Sequence, residues 1–231
     1  MREQLLLFRP RSDASFANFF VSAVNAPPLH ALRAWLARGG GAFYLYGPAA
    51  SGRSHLLQAV CRERITFLYL PLLELRDQDP RQVLDGLEHF DGICLDDVHA
   101  VTTDPAWCEQ LFHLFNRCML SGAGLLVSAD CASAQLPCVL PDLQSRLRTG
   151  GDFRLHALGD DDLAQALQLR ARERGIELGD DVAAYILARR SRAFPALLDL
   201  LDRLDRASLT EQKRITIPFV RRVFEQSAAG E

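Results

Sequence analysis

The stretch that most constrains the fold is YLYGPAASGRSHLL, residues 44–57. An apolar, aromatic run is followed by a glycine-containing loop and then by apolar residues at helical spacing, which predicts a strand, a loop and a helix in succession. The loop nearly matches the phosphate-binding pattern G-x-x-x-x-G-K-[ST], in which backbone N–H groups and a helix N-terminus bind phosphate. It departs from the pattern at one position, where Arg53 replaces the lysine.

This loop supplies most of the predicted nucleotide-binding residues. Arg53 keeps a permanent charge and can bind phosphate oxygens in a fork, but it is bulkier than lysine. We therefore expect bound ADP or ATP, with Mg²⁺ as a candidate companion ion, and weak intrinsic hydrolysis. A glycine-bearing turn without any ligand is the alternative. The predicted loop residues are Gly47, Pro48, Ala49, Ala50, Ser51, Gly52, Arg53 and Ser54, whose hydroxyl suits magnesium.

Two adjacent carboxylates follow an apolar run in GICLDD, residues 92–97. In nucleoside triphosphatases with such a loop, one carboxylate supports magnesium and a neighbouring residue polarises the attacking water. Asp96 is predicted for the first role, together with Ser54, and Asp97 for the second. The alternative is that both residues begin a turn, although two carboxylates that end a buried strand are costly without a partner.

Apolar runs alternate with helical patterns up to residue 158, and only helical patterns follow. Near-continuous apolar strands predict a five-stranded parallel sheet covered by helices on both faces. Asp160 is the predicted N-cap and Gly175 the predicted end of the first later helix. The fold class is therefore α/β followed by a small all-α domain. The predicted strands are 41–47, 65–72, 92–101, 124–130 and 152–158, and the predicted helices before the last strand are 51–64, 80–90 and 105–122.

Composition narrows the class of protein. The 231 residues carry a net charge of -3, which gives no overall attraction to nucleic acid. No apolar run reaches the roughly 20 residues of a membrane span, and the N-terminus lacks the apolar core of a signal peptide. The six cysteines form no C-x-x-C pair. A cytoplasmic protein that does not bind membranes is expected.

Together these motifs resemble those of the AAA+ ATPases and, within them, the DnaA/Hda group. DASFANFFVSAVN (13–25) resembles the group's lead-in segment near the adenine, and Phe16, Phe19 and Asn25 carry the likeness. The resemblance implies a nucleotide-binding role for Phe16.

Two further segments extend the resemblance. LLVSAD (125–130) resembles the sensor-one strand, which implies that Ser128 contacts nucleotide and that Asp130 joins Asp97 among the catalytic residues. LPDLQSRL (140–147) is similar to the segment that carries an arginine finger, which would be Arg146. An ion pair between Arg146 and Asp142 on a solvated helix is the alternative.

The resemblance also implies a helical lid and three domains, with bounds of 1–12, 13–158 and 159–231. Relatives carry a sensor-two arginine where Pro195 stands here, so Arg192 is a candidate substitute. The chain reaches Glu231 just after the lid, without the helix-turn-helix domain into which DnaA initiators continue, as in the group's short regulators.

The first domain is expected to be a flexible tail with a partner-binding motif. QLLLF (4–8) resembles the peptide by which bacterial proteins dock on the β sliding clamp, with Gln4, Leu5, Leu7 and Phe8 as the contacting residues. A short strand or a buried tail is the alternative.

The resemblance implies a negative regulator of replication initiation, bound to the clamp and so to the bacterial nucleoid. It would stimulate hydrolysis of ATP held by DnaA through Arg146 supplied in trans, and it would meet DNA only through the clamp. An ATPase loader of the replication machinery and a nucleotide-stabilised anchoring module are the alternatives. Homo-oligomerisation stays open.

Overall fold

The structure is a computed structural model that describes residues 14–189 and 194–228. Its contacts divide the chain into two units, Met1–Ala157 and Leu158–Glu231. The predicted clamp-binding residues Gln4, Leu5, Leu7 and Phe8 and the predicted sensor-two substitute Arg192 lie outside the described residues. Within those residues, no helix has the length and apolar character that a bilayer crossing needs.

The first unit is built on a five-stranded parallel sheet, as predicted, with strand order β2-β3-β4-β1-β5. The strands are β1 Gly41–Tyr46, β2 Phe67–Pro71, β3 Gly92–Asp96, β4 Gly124–Ala129 and β5 Asp152–Arg154. The α-helices of this unit are α1 Ala26–Arg38, α2 Arg53–Glu63, α3 Leu72–Leu75, α4 Pro80–Leu84, α5 Pro105–Ser121 and α6 Pro141–Arg148.

Both faces of this sheet are buried, which explains the near-continuous apolar strands. Successive side chains of a strand point to opposite faces. On β4, Leu125 and Val127 join one apolar cluster, whereas Leu126 joins the other. On β3, Ile93 and Cys94 divide in the same way. Because every position of β3 and β4 is buried, these two strands lack an alternation of polar and apolar residues.

The last strand is much shorter than predicted. β5 ends at Arg154, and the backbone N–H of Leu155 still donates to the carbonyl of Tyr46 at 2.6 Å. The next residue, His156, leaves the sheet because its N–H and its carbonyl both form hydrogen bonds with the side chain of Asn25. A side chain 131 residues away in sequence therefore ends the strand.

Other element boundaries also differ from the sequence-based prediction. β3 stops at Asp96, α4 stops at Leu84, and α1 was not predicted at all. The prediction that Asp160 is an N-cap was wrong: Gly159 is the cap and Asp160 is the first helical residue. There Asp160 complements the positive end of the helix dipole rather than capping it.

The described residues of the second unit form helices joined by loops, as predicted, and have their own apolar core. Arg174 follows the first of its helices and forms an ion pair with Asp202 on the third, at 2.7 Å between Nη2 and Oδ1. Gly175 adopts a φ of 73°, which ends that first helix in the left-handed conformation favoured by glycine. The helices are α7 Asp160–Glu173, α8 Asp180–Leu187, α9 Phe194–Glu211 and α10 Ile217–Ala228.

Candidate nucleotide-binding site

The glycine-rich loop joins β1 to α2 at the carboxyl edge of the sheet. At its start, the N–H of Gly47 donates to the carbonyl of Ala129 at the end of β4, at 3.2 Å. A Cβ at Gly47 would collide with the carbonyl oxygen of Leu155, so this position requires glycine. The loop is thus held closely against the ends of its two neighbouring strands. This edge is where parallel α/β sheets bind ligands.

The turn of the loop depends on two left-handed residues, Ala50 with φ 60° and Gly52 with φ 96°. A Cβ at Gly52 would lie 2.6 Å from the ring of Phe19, so the lead-in segment packs directly on the loop. The Ser51 hydroxyl is buried and has no hydrogen-bond partner among the described residues. A buried polar group without a partner is costly and is a position where a ligand contact fits. The loop geometry therefore suits a bound phosphate.

Arg53 is the first residue of α2 and is only 9% exposed. Its Nη1 donates to the carbonyl of Gly47 at 2.7 Å, and its Nη2 donates to Oδ1 of Asp97 at 2.9 Å. The guanidinium group therefore connects the first residue of the loop to the end of β3. A residue predicted to bind phosphate is paired with the residue predicted to polarise water.

Asp96 ends β3 and is 3% exposed. Its Oδ2 accepts a hydrogen bond from the Tyr69 hydroxyl at 2.7 Å, and its Oδ1 accepts one from the Ser128 hydroxyl. Burial and then the nearby Asp96 raise the pKa of Tyr69, so its hydroxyl stays protonated and donates. Both carboxylate oxygens are thus satisfied by neutral hydroxyl groups of adjacent strands.

Asp97 adopts the left-handed conformation, with φ 56° and ψ 50°, and its N–H donates to the Ser128 hydroxyl at 2.9 Å. Burial, followed by repulsion from Asp96, raises the pKa of the Asp97 carboxyl, whereas Arg53 and His99 lower it. Ser128 therefore positions both carboxylates, one by donating to a side chain and one by accepting from the backbone.

His99 lies between two carboxylates and was not predicted from the sequence. Its Nδ1 is 3.9 Å from Oδ1 of Asp97, and its Nε2 is 3.7 Å from Oδ2 of Asp130. Asp130 itself is exposed. His99 thus lies between the two predicted catalytic acids, at distances beyond a hydrogen bond.

The lead-in segment is anchored by two buried residues. Phe16 lies in an apolar cluster beneath Arg33, whose guanidinium carbon is 4.7 Å from the ring centre. Asn25 is fully buried and forms hydrogen bonds of 2.9 and 2.8 Å with the carbonyl and the N–H of His156. Asn25 is therefore structural in this conformation, and an adenine contact by Phe16 remains a prediction.

Arg146 lies on α6, away from the loop in sequence and on an exposed helix surface. Leu143 and Leu147 bury the opposite face of this helix. The side-chain amide of Gln144 donates to the carbonyls of Ser133, Ala134 and Leu136 at 3.1 to 3.3 Å, which fixes the preceding segment to the helix.

The alternative ion pair between Arg146 and Asp142 does not form. Neither side chain has a hydrogen bond or ion-pair partner within the described ranges. Arg146 is therefore an exposed cation on a helix whose position is fixed by buried leucines and by Gln144. Sequence reasoning identified Arg146 but missed Gln144, because its role depends on a turn of the preceding loop.

The sequence-predicted residues of the loop and of β3 and β4 meet at one edge of the sheet. Asp97 contacts the loop directly through Arg53, and Ser128 contacts both carboxylates. Tyr69 was missed, although a tyrosine inside an otherwise apolar strand next to a carboxylate-ending strand was a usable signal.

Two known protein families match successive parts of the chain. The family described as the bacterial DnaA ATPase domain matches residues 11–153, which is more than half of the chain. The chain belongs to this DnaA ATPase family. The family described as the Hda lid domain matches residues 160–224, so the second unit of this DnaA-family chain is similar to an Hda lid.

Solved structures agree on the fold of this DnaA-family chain. Domain III of the Thermotoga maritima replication initiation protein DnaA is 20% identical with a TM-score of 0.76, covering 94% of this chain and 97% of that one. AMPPCP-bound DnaA from Aquifex aeolicus is 20% identical with a TM-score of 0.70, and the match covers 84% of this chain and 66% of that one. The Thermotoga maritima RuvB branch migration motor is 23% identical with a TM-score of 0.66, covering 94% and 72%. The predicted AAA+ fold with a helical lid is confirmed.

Proposed function

We propose that this DnaA-family chain is an Hda-like negative regulator of replication initiation that stimulates hydrolysis of ATP held by DnaA. The observation that carries the proposal is the contrast between two arginines of the chain, Arg53 and Arg146. Arg53, at its own nucleotide site, is buried and paired with Asp97, whereas Arg146 is exposed and has no side-chain partner in the described part of the chain. The first arrangement disfavours rapid turnover in the chain's own site. The second suits an arginine that acts on another molecule.

The chemistry of an arginine in trans is charge stabilisation. Negative charge spreads over the oxygens of a phosphoryl group during transfer, and an arginine finger supplied by a partner can accelerate the reaction by about 10³ to 10⁵. A guanidinium group on a rigid helix surface needs little rearrangement to reach such a site. Arg146 is the residue proposed for this role toward ATP on DnaA.

The chain's own nucleotide is proposed to be ADP with a structural role. The backbone of residues 47–54, the unpartnered Ser51 hydroxyl and the guanidinium of Arg53 would hold its phosphates. Phe16, Ser128 and Arg192 remain proposed contacts, and Asp97 and Asp130 would support at most weak intrinsic hydrolysis. Its role would be to maintain the shape of the DnaA-facing surface.

Recruitment is proposed to occur through the tail. Gln4, Leu5, Leu7 and Phe8 would dock on the β sliding clamp, so that the chain meets DNA through the clamp and acts on the nucleoid in the bacterial cytoplasm. The acidic balance of the chain supports indirect rather than direct contact with DNA.

The proposal is tested by the rate of hydrolysis of ATP bound to DnaA, with clamp loaded on DNA. The wild-type chain is expected to accelerate hydrolysis, and Arg146→Ala is expected to lose most of the acceleration. Arg148→Ala is the matched control, because it removes another exposed arginine from the same helix. Equal activity of the two variants would contradict the role of Arg146. Fast ATP turnover by the chain alone would favour a loader instead.

A further inference from the structure

The carboxylates of the nucleotide site do not fit a magnesium ion. Mg²⁺ requires near-octahedral oxygen ligands and retains several of its waters, so a P-loop site holds it with the loop hydroxyl and a nearby aspartate. Ser54 and Asp96 are the residues that would do so here. Asp96 is 3% exposed and both of its oxygens already accept hydroxyl donors, from Tyr69 and Ser128. This burial leaves little access for a water that would bridge Asp96 to a metal ion.

The second carboxylate is unsuited for a different reason. Asp97 is ion-paired with Arg53, with 2.9 Å between Nη2 and Oδ1. A divalent cation at this carboxylate would stand beside a permanent positive charge, and like charges a few ångströms apart repel strongly in a partly buried site. Ser54 alone offers one neutral hydroxyl group.

The guanidinium group supplies the charge that a metal would otherwise bring. Arg53 has more N–H donors than the two that its contacts with Gly47 and Asp97 use. It begins α2, where the helix N-terminus and the loop N–H groups also favour an anion. Positive charge and donors are therefore available to phosphate without an added ion.

The same arrangement discriminates between nucleotides. A third phosphate would add negative charge near the carboxyl ends of β3 and β4, where the carboxyl groups of Asp96 and Asp97 lie. Without a metal to bridge them, the γ-phosphate and these carboxylates repel each other. A diphosphate avoids this repulsion.

We propose that this loop binds a nucleoside diphosphate without a divalent cation, with Arg53 as the resident positive charge. This inference deepens the proposed function and rests on its assumption that the site holds ADP. It changes the role of the metal, because the site retains its nucleotide when Mg²⁺ is removed. It also makes Arg53 a specificity-determining residue rather than a weakened lysine.

The test is equilibrium binding of ADP and of ATP to the full chain, measured by calorimetry in chelator and again in excess Mg²⁺. The wild-type affinity for ADP is expected not to rise in Mg²⁺, because Mg²⁺ bound to free ADP competes with a metal-free site, and it is expected to exceed the affinity for ATP. A gain of about tenfold or more for ADP on adding Mg²⁺, equal to about 1.4 kcal/mol, would overturn the inference.

Arg53→Lys is the matched variant, because it keeps the charge and restores the common loop residue. The compact ammonium group cannot bridge Gly47 and Asp97 as the planar fork does, so a carboxylate becomes free for a cation. The variant is expected to bind ADP more tightly in Mg²⁺ than in chelator, and thermal unfolding of both proteins checks the fold. A variant as insensitive to Mg²⁺ as the wild type would overturn the role of Arg53.

These outcomes are distinct from a failure of the proposed function. Magnesium-dependent ADP binding sinks the inference and leaves the action on DnaA intact, because that action is read from hydrolysis of ATP on DnaA. If ADP does not bind in either condition, both the inference and the proposed structural role of ADP are contradicted. Loss of stimulation in Arg146→Ala tests neither the metal-free binding of ADP nor the structural role of ADP.

Discussion

At the scale of single residues, Asp97 shows two opposing electrostatic effects. Burial and the neighbouring Asp96 raise the pKa of its carboxyl, and the guanidinium of Arg53 and the ring of His99 act in the other direction. The net shift is upward, so folding disfavours the charged form even though an arginine is 2.9 Å away. The pairing with Arg53 therefore offsets only part of the cost of burying this carboxylate beside Asp96.

The raised pKa gives a stability prediction with a definite sign. A carboxyl whose pKa is higher in the folded state stabilises the fold at acidic pH, and this contribution is lost as pH rises through the folded pKa. Asp97→Asn is uncharged at all pH values. Its melting temperature relative to wild type is therefore expected to increase from acidic to neutral pH, as followed by thermal unfolding across that range. A melting-temperature difference that stays constant or falls as pH rises would contradict the upward shift of the Asp97 pKa.

At the scale of elements, α6 is positioned by its buried face and by one amide. Leu143 and Leu147 are nearly fully buried, and Gln144 donates to three carbonyls of the preceding loop. Arg146 therefore lies on the exposed face of a helix whose position is fixed by packing and hydrogen bonds. The orientation of the exposed Arg146 therefore depends on buried and hydrogen-bonded residues of the same helix.

Gln144→Ala is expected to lower the free energy of unfolding by about 1–3 kcal/mol, because carbonyl acceptors lose their donor. It should also reduce stimulation of DnaA-bound ATP hydrolysis while leaving the affinity for ADP unchanged. Urea unfolding and the two assays measure these effects. Gln135→Ala removes an exposed amide in the same loop and is the control. If both variants behave alike, Gln144 does not position the helix.

The segment before α1 is fixed to the end of β5 by Asn25. Replacing it with alanine leaves the half-buried N–H and carbonyl of His156 without the side-chain partner, and each lost hydrogen bond costs about 1 kcal/mol. Asn25→Ala is expected to lower the denaturant midpoint substantially, whereas Gln78→Ala, which removes an exposed amide, should not. A midpoint unchanged by Asn25→Ala would mean that water replaces the amide.

At the scale of the whole molecule, most of the fold was predicted from hydrophobic periodicity and sequence motifs. The strand–loop–helix around Gly47 and the apolar strands were predicted because neighbouring residues decide them. The end of β5, the pairing of Arg53 with Asp97 and the place of His99 were not, because each depends on residues far apart in sequence. Local sequence patterns therefore predicted which residues belong to the site. Which of these residues contact one another could be read only from the three-dimensional structure.

Recruitment and catalysis are proposed to reside in separate parts of the chain, the tail and α6. Replacing Gln4 and Leu5 together with alanine is expected to abolish stimulation at limiting protein concentration when clamp is loaded on DNA. At high protein concentration, stimulation should recover, because a tether raises only the effective concentration. Arg146→Ala should not recover at any concentration. A tail variant as active as wild type at every concentration would exclude a clamp tether.

The most direct measurement locates the hydrolysis. Labelled ATP is first bound to DnaA, and this chain is separately loaded with unlabelled ADP before the two are mixed with clamp on DNA. We predict that label on DnaA converts to ADP faster with the wild-type chain and with Arg148→Ala, but not with Arg146→Ala. Conversion at the same rate with and without the chain would contradict the action in trans on which this account depends.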